Sequence, residues 1–143
     1  MLSAILTGQG TDFAGGGLAS ALGHAIGPRC GLANGIVNAI VLPHTLRFNA
    51  AYTRTRLWKL GASLPGADKG ASAQMDQDPL QAIAAVESLL DRLALPRRLR
   101  DIGLARADLT DVVAHAQADF FLRRNPRPVK DGTELLALLQ ACW

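Results

Sequence analysis

Apolar positions recur every three or four residues along almost the whole of this 143-residue chain, and no stretch alternates long enough to make a half-buried strand. That spacing predicts an all-α fold of five to seven helices in a single domain spanning residues 1–143. Leu2 to Thr7 and Leu18 to Ile26 read as one helical region interrupted by Gly15-Gly16-Gly17, with Pro28 to Ala33 as a turn. A second region starts at Asn34, whose side chain is placed to cap the free amides. It puts Ile36, Val37, Ile40 and Val41 on one broad face and is expected to bend at Pro43 before continuing toward Leu57 or Leu60. Gly61 to Gln77 is a polar loop. Asp78-Pro79 then opens a helix with a buried stripe of Ile83, Val86, Leu90 and Leu93, stopped by Pro96.

Leu99 to Ile102 fits one short helical turn closed by Gly103, and Leu109, Val112, Val113, Ala116 and Phe120 mark the next amphipathic helix. Asn125-Pro126-Arg127-Pro128 is extended, because proline excludes helix at the residue before it. Asp131 and Glu134 have capping-box spacing and open a last helix that buries Leu135, Leu138, Leu139 and Cys142.

An apolar fraction of 49% with 19% charged residues describes a chain that folds around a core. The net charge of +3 is spread out, and aromatics are only 5%, so a nucleic-acid surface is not expected. Gly35 to Leu42, the most apolar run, is too short to span a bilayer. Cys30 and Cys142 lie far apart and belong to no metal or redox pair, which suits free thiols in a cytoplasmic protein.

Few residues carry obvious chemistry. His24 lies between Leu22 and Ile26 with glycines at 23 and 27, and it reads either as a packed histidine bonded to a carbonyl or as a pocket histidine able to pass a proton. His44 and His115 read as structural. None of the three histidines lies one helical turn from another, as a helix needs to present two imidazoles to one ion. Gly8-Gln9-Gly10 and Gly15-Gly16-Gly17 invite a phosphate-loop reading, but helix stands on both sides where a nucleotide fingerprint needs a preceding strand.

Gly17-Leu18-Ala19-Ser20-Ala21-Leu22-Gly23-His24 and Asn34-Gly35-Ile36-Val37-Asn38-Ala39-Ile40-Val41-Leu42-Pro43-His44 carry a resemblance, in order and spacing. With Leu95-Pro96-Arg97-Arg98-Leu99-Arg100-Asp101-Ile102-Gly103 and Asn125-Pro126-Arg127, they resemble the C-terminal helical domain of the iron-type (group III) alcohol dehydrogenase and maleylacetate reductase superfamily. The resemblance implies half of a two-domain enzyme that oxidises alcohols or reduces carbonyls with NAD(P), using Fe(II) or Zn(II) to polarise the oxygen. The cofactor-binding half is absent from this chain, so a nucleotide-binding domain is the implied partner, in cis or in trans. NAD(P) is not expected to bind this chain alone.

Where the superfamily places two metal-binding histidines, this chain has Ser20 and Asn34, while the pocket histidine is kept as His24. Neutral oxygen donors hold a transition metal poorly, so neither iron nor zinc is expected here. The resemblance then assigns His24 as catalytic residue and Ser20 and Asn34 as substrate-binding residues. The competing reading is a non-catalytic helical interaction module, with an apolar patch around the first helices; self-association is open to it on the same surface.

Overall fold

A computed structural model describes residues 2–64 and 79–143, and among them the only regular secondary structure is helix, with no strand. The α-helices are α1 (Leu2–Ala14), α2 (Gly17–Cys30), α3 (Asn34–Asn49), α4 (Arg54–Ser63), α5 (Pro79–Arg92), α6 (Leu109–Ala118) and α7 (Gly132–Cys142). Short 3-10 turns at Ala50–Tyr52, Leu99–Ile102, Arg106–Asp108 and Phe120–Arg124 link them. The expected cap at Asp78 and most of the expected polar loop lie outside the described residues.

The centre of the domain is α2. Leu18, Leu22 and Ile26, spaced by four, are fully buried along one stripe, with Ala21 and Ala25 beside them. At about 1.5–3 kcal/mol for each large aliphatic side chain taken from water, that stripe is a main source of cohesion. It packs on Val37, Ile40 and Val41 of α3 and on Leu109, Val112 and Ala116 of α6, and the Leu135, Leu139 and Cys142 face of α7 completes the same core against α3 and α6. A smaller cluster joins Leu57 of α4 to Ala82 and Ile83 of α5, with Leu46 and Ala50 against it. Trp143 fastens the C-terminus: its indole N–H donates to the Leu104 carbonyl at 3.0 Å, and the Arg100 and Arg106 guanidiniums lie 5.7 and 5.5 Å from its ring. Among the described residues no helix is long and apolar enough to cross a membrane.

Several boundaries differ from the sequence pattern. The helix expected to stop at Pro28 continues to Cys30, because a proline in the last turn forfeits only the amide that would reach the His24 carbonyl. Ala33, in extended conformation, is the N-cap of α3, so Asn34 is already helical and caps nothing. The helix continues past Pro43 as expected but does not run on to Leu57: it ends at Asn49, and a 3-10 turn intervenes before α4. Gly61 lies within α4. Leu93, expected in the α5 stripe, is 56% exposed because α5 ends at Arg92 and Ala94 turns the chain with φ of 51°.

Phe120 is 60% exposed for a similar reason: Asp119 ends α6, its carboxylate accepting the Phe121 amide at 2.8 Å. The short turn closed by Gly103 (φ +84°) and the Asp131 cap on the Thr133 and Glu134 amides agree with the pattern. The second arm of the capping box is displaced by one residue, since Glu134 accepts the amide of Lys130 and not that of Asp131.

Both thiols are unpaired, Cys142 in the core and Cys30 half-buried at the end of α2. Burial pushes the Cys142 thiol up to about 12, and burial with the nearby Asp108 carboxylate also raises Cys30. The thiolate is the reactive form. Iodoacetamide at pH 8 is therefore expected to label Cys30 slowly and Cys142 only after denaturation; mass spectrometry of the native digest checks this, and equal labelling of both would contradict the packing of α7.

Candidate functional site around His24

Ser20 and His24 are one turn apart on α2, on the side facing away from the buried stripe. The His24 side chain is 42% exposed, so the imidazole stands at the surface and not deep in the core. Its Nδ1 lies 2.8 Å from Oδ2 of Asp119, which is only 15% exposed. Asp119 is itself immobilised by the Phe121 amide, which donates to its other oxygen. The Phe121 ring, 5.3 Å from the imidazole and tilted by 52°, leans on it. No protein group among the described residues bonds Nε2. One ring nitrogen is thus held by a carboxylate and the other is free, which fixes ring orientation.

Ser20 is half-buried and donates its hydroxyl to the Gly16 carbonyl at 3.1 Å, so in this rotamer its oxygen can only accept. Asn34, at the exposed start of α3, lays its Oδ1 over the backbone of Gly27, one turn beyond His24 on α2. The structure therefore places the three sequence-selected residues along the same stretch of α2, with no hydrogen bond between any two of them. Asp119 and Phe121 escaped the sequence reading. They stand 95 and 97 positions from His24, and the only local sign was an aspartate just before an apolar pair, the mark of a turn.

His115 is exposed, with Nδ1 2.8 Å from the Asp111 carbonyl and 3.1 Å from the Arg29 guanidinium. His44 is half-buried; burial lowers its pKa, and the Arg47 charge adds to this. Neither approaches the His24 surface through any bond. A metal fares no better at Ser20 and Asn34. Among the described residues no group of three or more His, Cys, Asp or Glu is close enough to hold an ion. An alcohol and an amide beside one imidazole do not fit the donor set that Fe(II) or Zn(II) needs.

Comparison with known proteins agrees with this architecture. The chain is 29% identical over 142 residues to lactaldehyde reductase of Escherichia coli (strain K12), covering 99% of this chain and 36% of that protein. It is 29% identical over 125 residues to 1,3-propanediol dehydrogenase of Klebsiella pneumoniae, covering 87% and 32%. It thus spans about a third of the length of these relatives. The crystal structure of a 1,3-propanediol oxidoreductase superposes with a TM-score of 0.80 at 25% identity, over 90% of this chain and 33% of that one. An alcohol dehydrogenase from Oenococcus oeni shares the fold, with a TM-score of 0.77 at 22% identity over 89% and 32%. The model of the Fe-containing alcohol dehydrogenase family, C-terminal, matches residues 1–143, and the chain accordingly belongs to that family as a form of its C-terminal helical domain.

Proposed function

We propose that this chain, as a single helical domain, is one half of an NAD(P)-dependent oxidoreductase that oxidises alcohols or reduces carbonyls, and that its half of the site works through hydrogen bonds without a metal. The observation that supports this best is the His24–Asp119 pair with its free Nε2. The hydride belongs to a nicotinamide carried by a nucleotide-binding half, in cis or in trans. The helical half's own task is the proton. With Nδ1–H donated to Asp119, a protonated Nε2 gives its proton to the oxygen of a carbonyl being reduced, and a neutral Nε2 takes the proton of an alcohol being oxidised. The Asp119 carboxylate steadies the imidazolium in between, and Phe121 limits rotation of the ring. Asn34 can donate an amide N–H to the same oxygen; Ser20 can do so once its hydroxyl leaves the Gly16 carbonyl.

The test joins this chain to a nucleotide-binding half and follows NAD(P)H oxidation with small aldehydes. His24→Ala is expected to lower kcat by about 100-fold or more, the usual weight of one positioned acid–base group. Asp119→Asn should lower kcat with little change in KM. Unchanged turnover in His24→Ala would remove the histidine from the chemistry. The chain alone should show no saturable NADH or NADPH binding by calorimetry at micromolar concentrations; such binding would overturn the assignment of the cofactor to another half.

A second reading has its own support. Leu2, Ile5 and Leu6 of α1 are more than half exposed and Phe13 is 88% exposed, an apolar surface of the kind that partner proteins cover. A non-catalytic module would use α1 in this way, but so would the docking face for a nucleotide-binding half. The joined-chain assay separates them, because only the oxidoreductase responds to His24→Ala.

A further inference from the structure

An open cleft of about 580 Å³ lies away from His24, between the Ala51–Arg56 segment and the Arg124–Pro126 segment. Its lining is mostly polar, and among the described residues its charged members are Arg54, Arg56 and Arg124, with no carboxylate. Arg54 and Arg56 are exposed and form no ion pair with any described residue. Arg124 spends one N–H on the Phe13 carbonyl at 3.1 Å and has no other hydrogen bond or ion pair with a described residue.

The two segments are tied together by residues beside the lining. Asn49 and Asn125 exchange side-chain amide bonds at 3.0 and 2.8 Å, so the arginines stand on a braced backbone and not on a loose loop. The first turn of α4 also lines the cleft. Thr53, its N-cap, turns its hydroxyl back to the Asn49 carbonyl at 3.0 Å and caps nothing, which leaves first-turn amides open among the cleft-lining residues. With no carboxylate among the described lining residues, these three arginines give the concave surface a positive field that favours an anion.

We propose that this cleft binds a small, multiply charged oxyanion of the phosphate class, gripped by Arg54, Arg56 and Arg124 with the Thr55 hydroxyl and α4 amides as further donors. Forked guanidiniums match phosphoryl oxygens two at a time. The space exceeds that of a single phosphate, so a phosphorylated small molecule fits as well as a free inorganic anion. This site is independent of the oxidoreductase reading and would stand without it.

The test titrates the 143-residue chain with inorganic pyrophosphate and, separately, with glycerol 3-phosphate, by calorimetry in 150 mM salt. Saturable one-to-one binding is expected, with Kd on the order of 0.1 mM. R54S/R56S should weaken it about tenfold or more, while R98S/R106S, two exposed arginines elsewhere, should leave it unchanged. Tighter binding of the ester would identify an organic phosphate as the ligand; tighter binding of pyrophosphate would identify the inorganic anion. Failure of both to saturate, or equal loss in the two double variants, would overturn the site. Circular dichroism of each variant guards against misfolding as the cause.

Discussion

Asn125→Ala is expected to lower the unfolding free energy by about 3–5 kcal/mol, a large part of the total stability of a domain this size. Asn125 is 7% exposed and uses its whole amide. Its Oδ1 accepts the Leu18 amide at 3.1 Å and the Asn49 Nδ2 at 3.0 Å. Its Nδ2 donates to Asn49 Oδ1 at 2.8 Å and to the Arg127 carbonyl at 2.6 Å. The Leu18 amide belongs to the first turn of α2, whose N-cap, Gly16, has no side chain to offer. Asn125 is therefore a cap supplied from 107 residues away, and it also locks the end of α3 to the segment before α7.

Alanine leaves the Leu18 amide, the Asn49 Nδ2 and the Arg127 carbonyl without these partners in a site that excludes most water, while Asn49 Oδ1 keeps only the Arg127 amide at 3.3 Å. Each costs about 1–3 kcal/mol, less whatever water can enter. Asn125→Asp should be nearly as harmful, since it keeps the acceptor but loses both donors and buries a charge. Urea unfolding of the three proteins measures this. A loss under about 1 kcal/mol would mean that solvent replaces the network without cost.

The elements that periodicity made legible are those whose burial is decided within one helix. Ile83, Val86 and Leu90 of α5 and Leu135, Leu138, Leu139 and Cys142 of α7 are buried as their spacing requires. Errors arise where a side chain competes with the helix. The 3.6-residue pattern runs on from Ala116 to Phe120, but the Asp119 carboxylate offers the Phe121 amide a bond outside the helix, and the chain leaves it. Pro28 misled in the other direction: it lies inside α2 because tertiary packing outweighs one missing bond, whereas the helix runs on past Pro43 as expected. At the candidate site, Ser20, His24 and Asn34 were visible through their family positions. Asp119 was not, because the pairing depends on how α6 ends beside α2, which no local pattern encodes.

Gly23→Val is expected to destabilise the chain by about 3 kcal/mol or more, and Gly23→Ala by about 1–2, despite alanine's better helix propensity. Gly23 is fully within the α2–α3 contact, and a Cβ there would run into Oδ1 of Asn38. That oxygen is buried and has no hydrogen-bond partner, so it has little room to retreat. Gly27 presents the same geometry one turn later, against Asn34 Oδ1 and, at 3.1 Å, the Leu32 carbonyl. Asn34 is exposed and can swing away, so Gly27→Ala should stay within about 1 kcal/mol of neutral. The difference between two glycines four residues apart thus rests mainly on whether the facing amide is buried, the Leu32 carbonyl having to give only a few tenths of an ångström. Asn38→Ala removes both the obstacle and the unsatisfied oxygen; alone it should cost little, and combined with Gly23→Ala it should recover most of the loss, a coupling of about 1 kcal/mol or more in a double-mutant cycle. Additive effects would show that α2 and α3 do not meet at this point. The close approach would then fail as the reason why Asn34 stands one turn from His24, since a wider gap between these helices would carry the asparagine away from the imidazole.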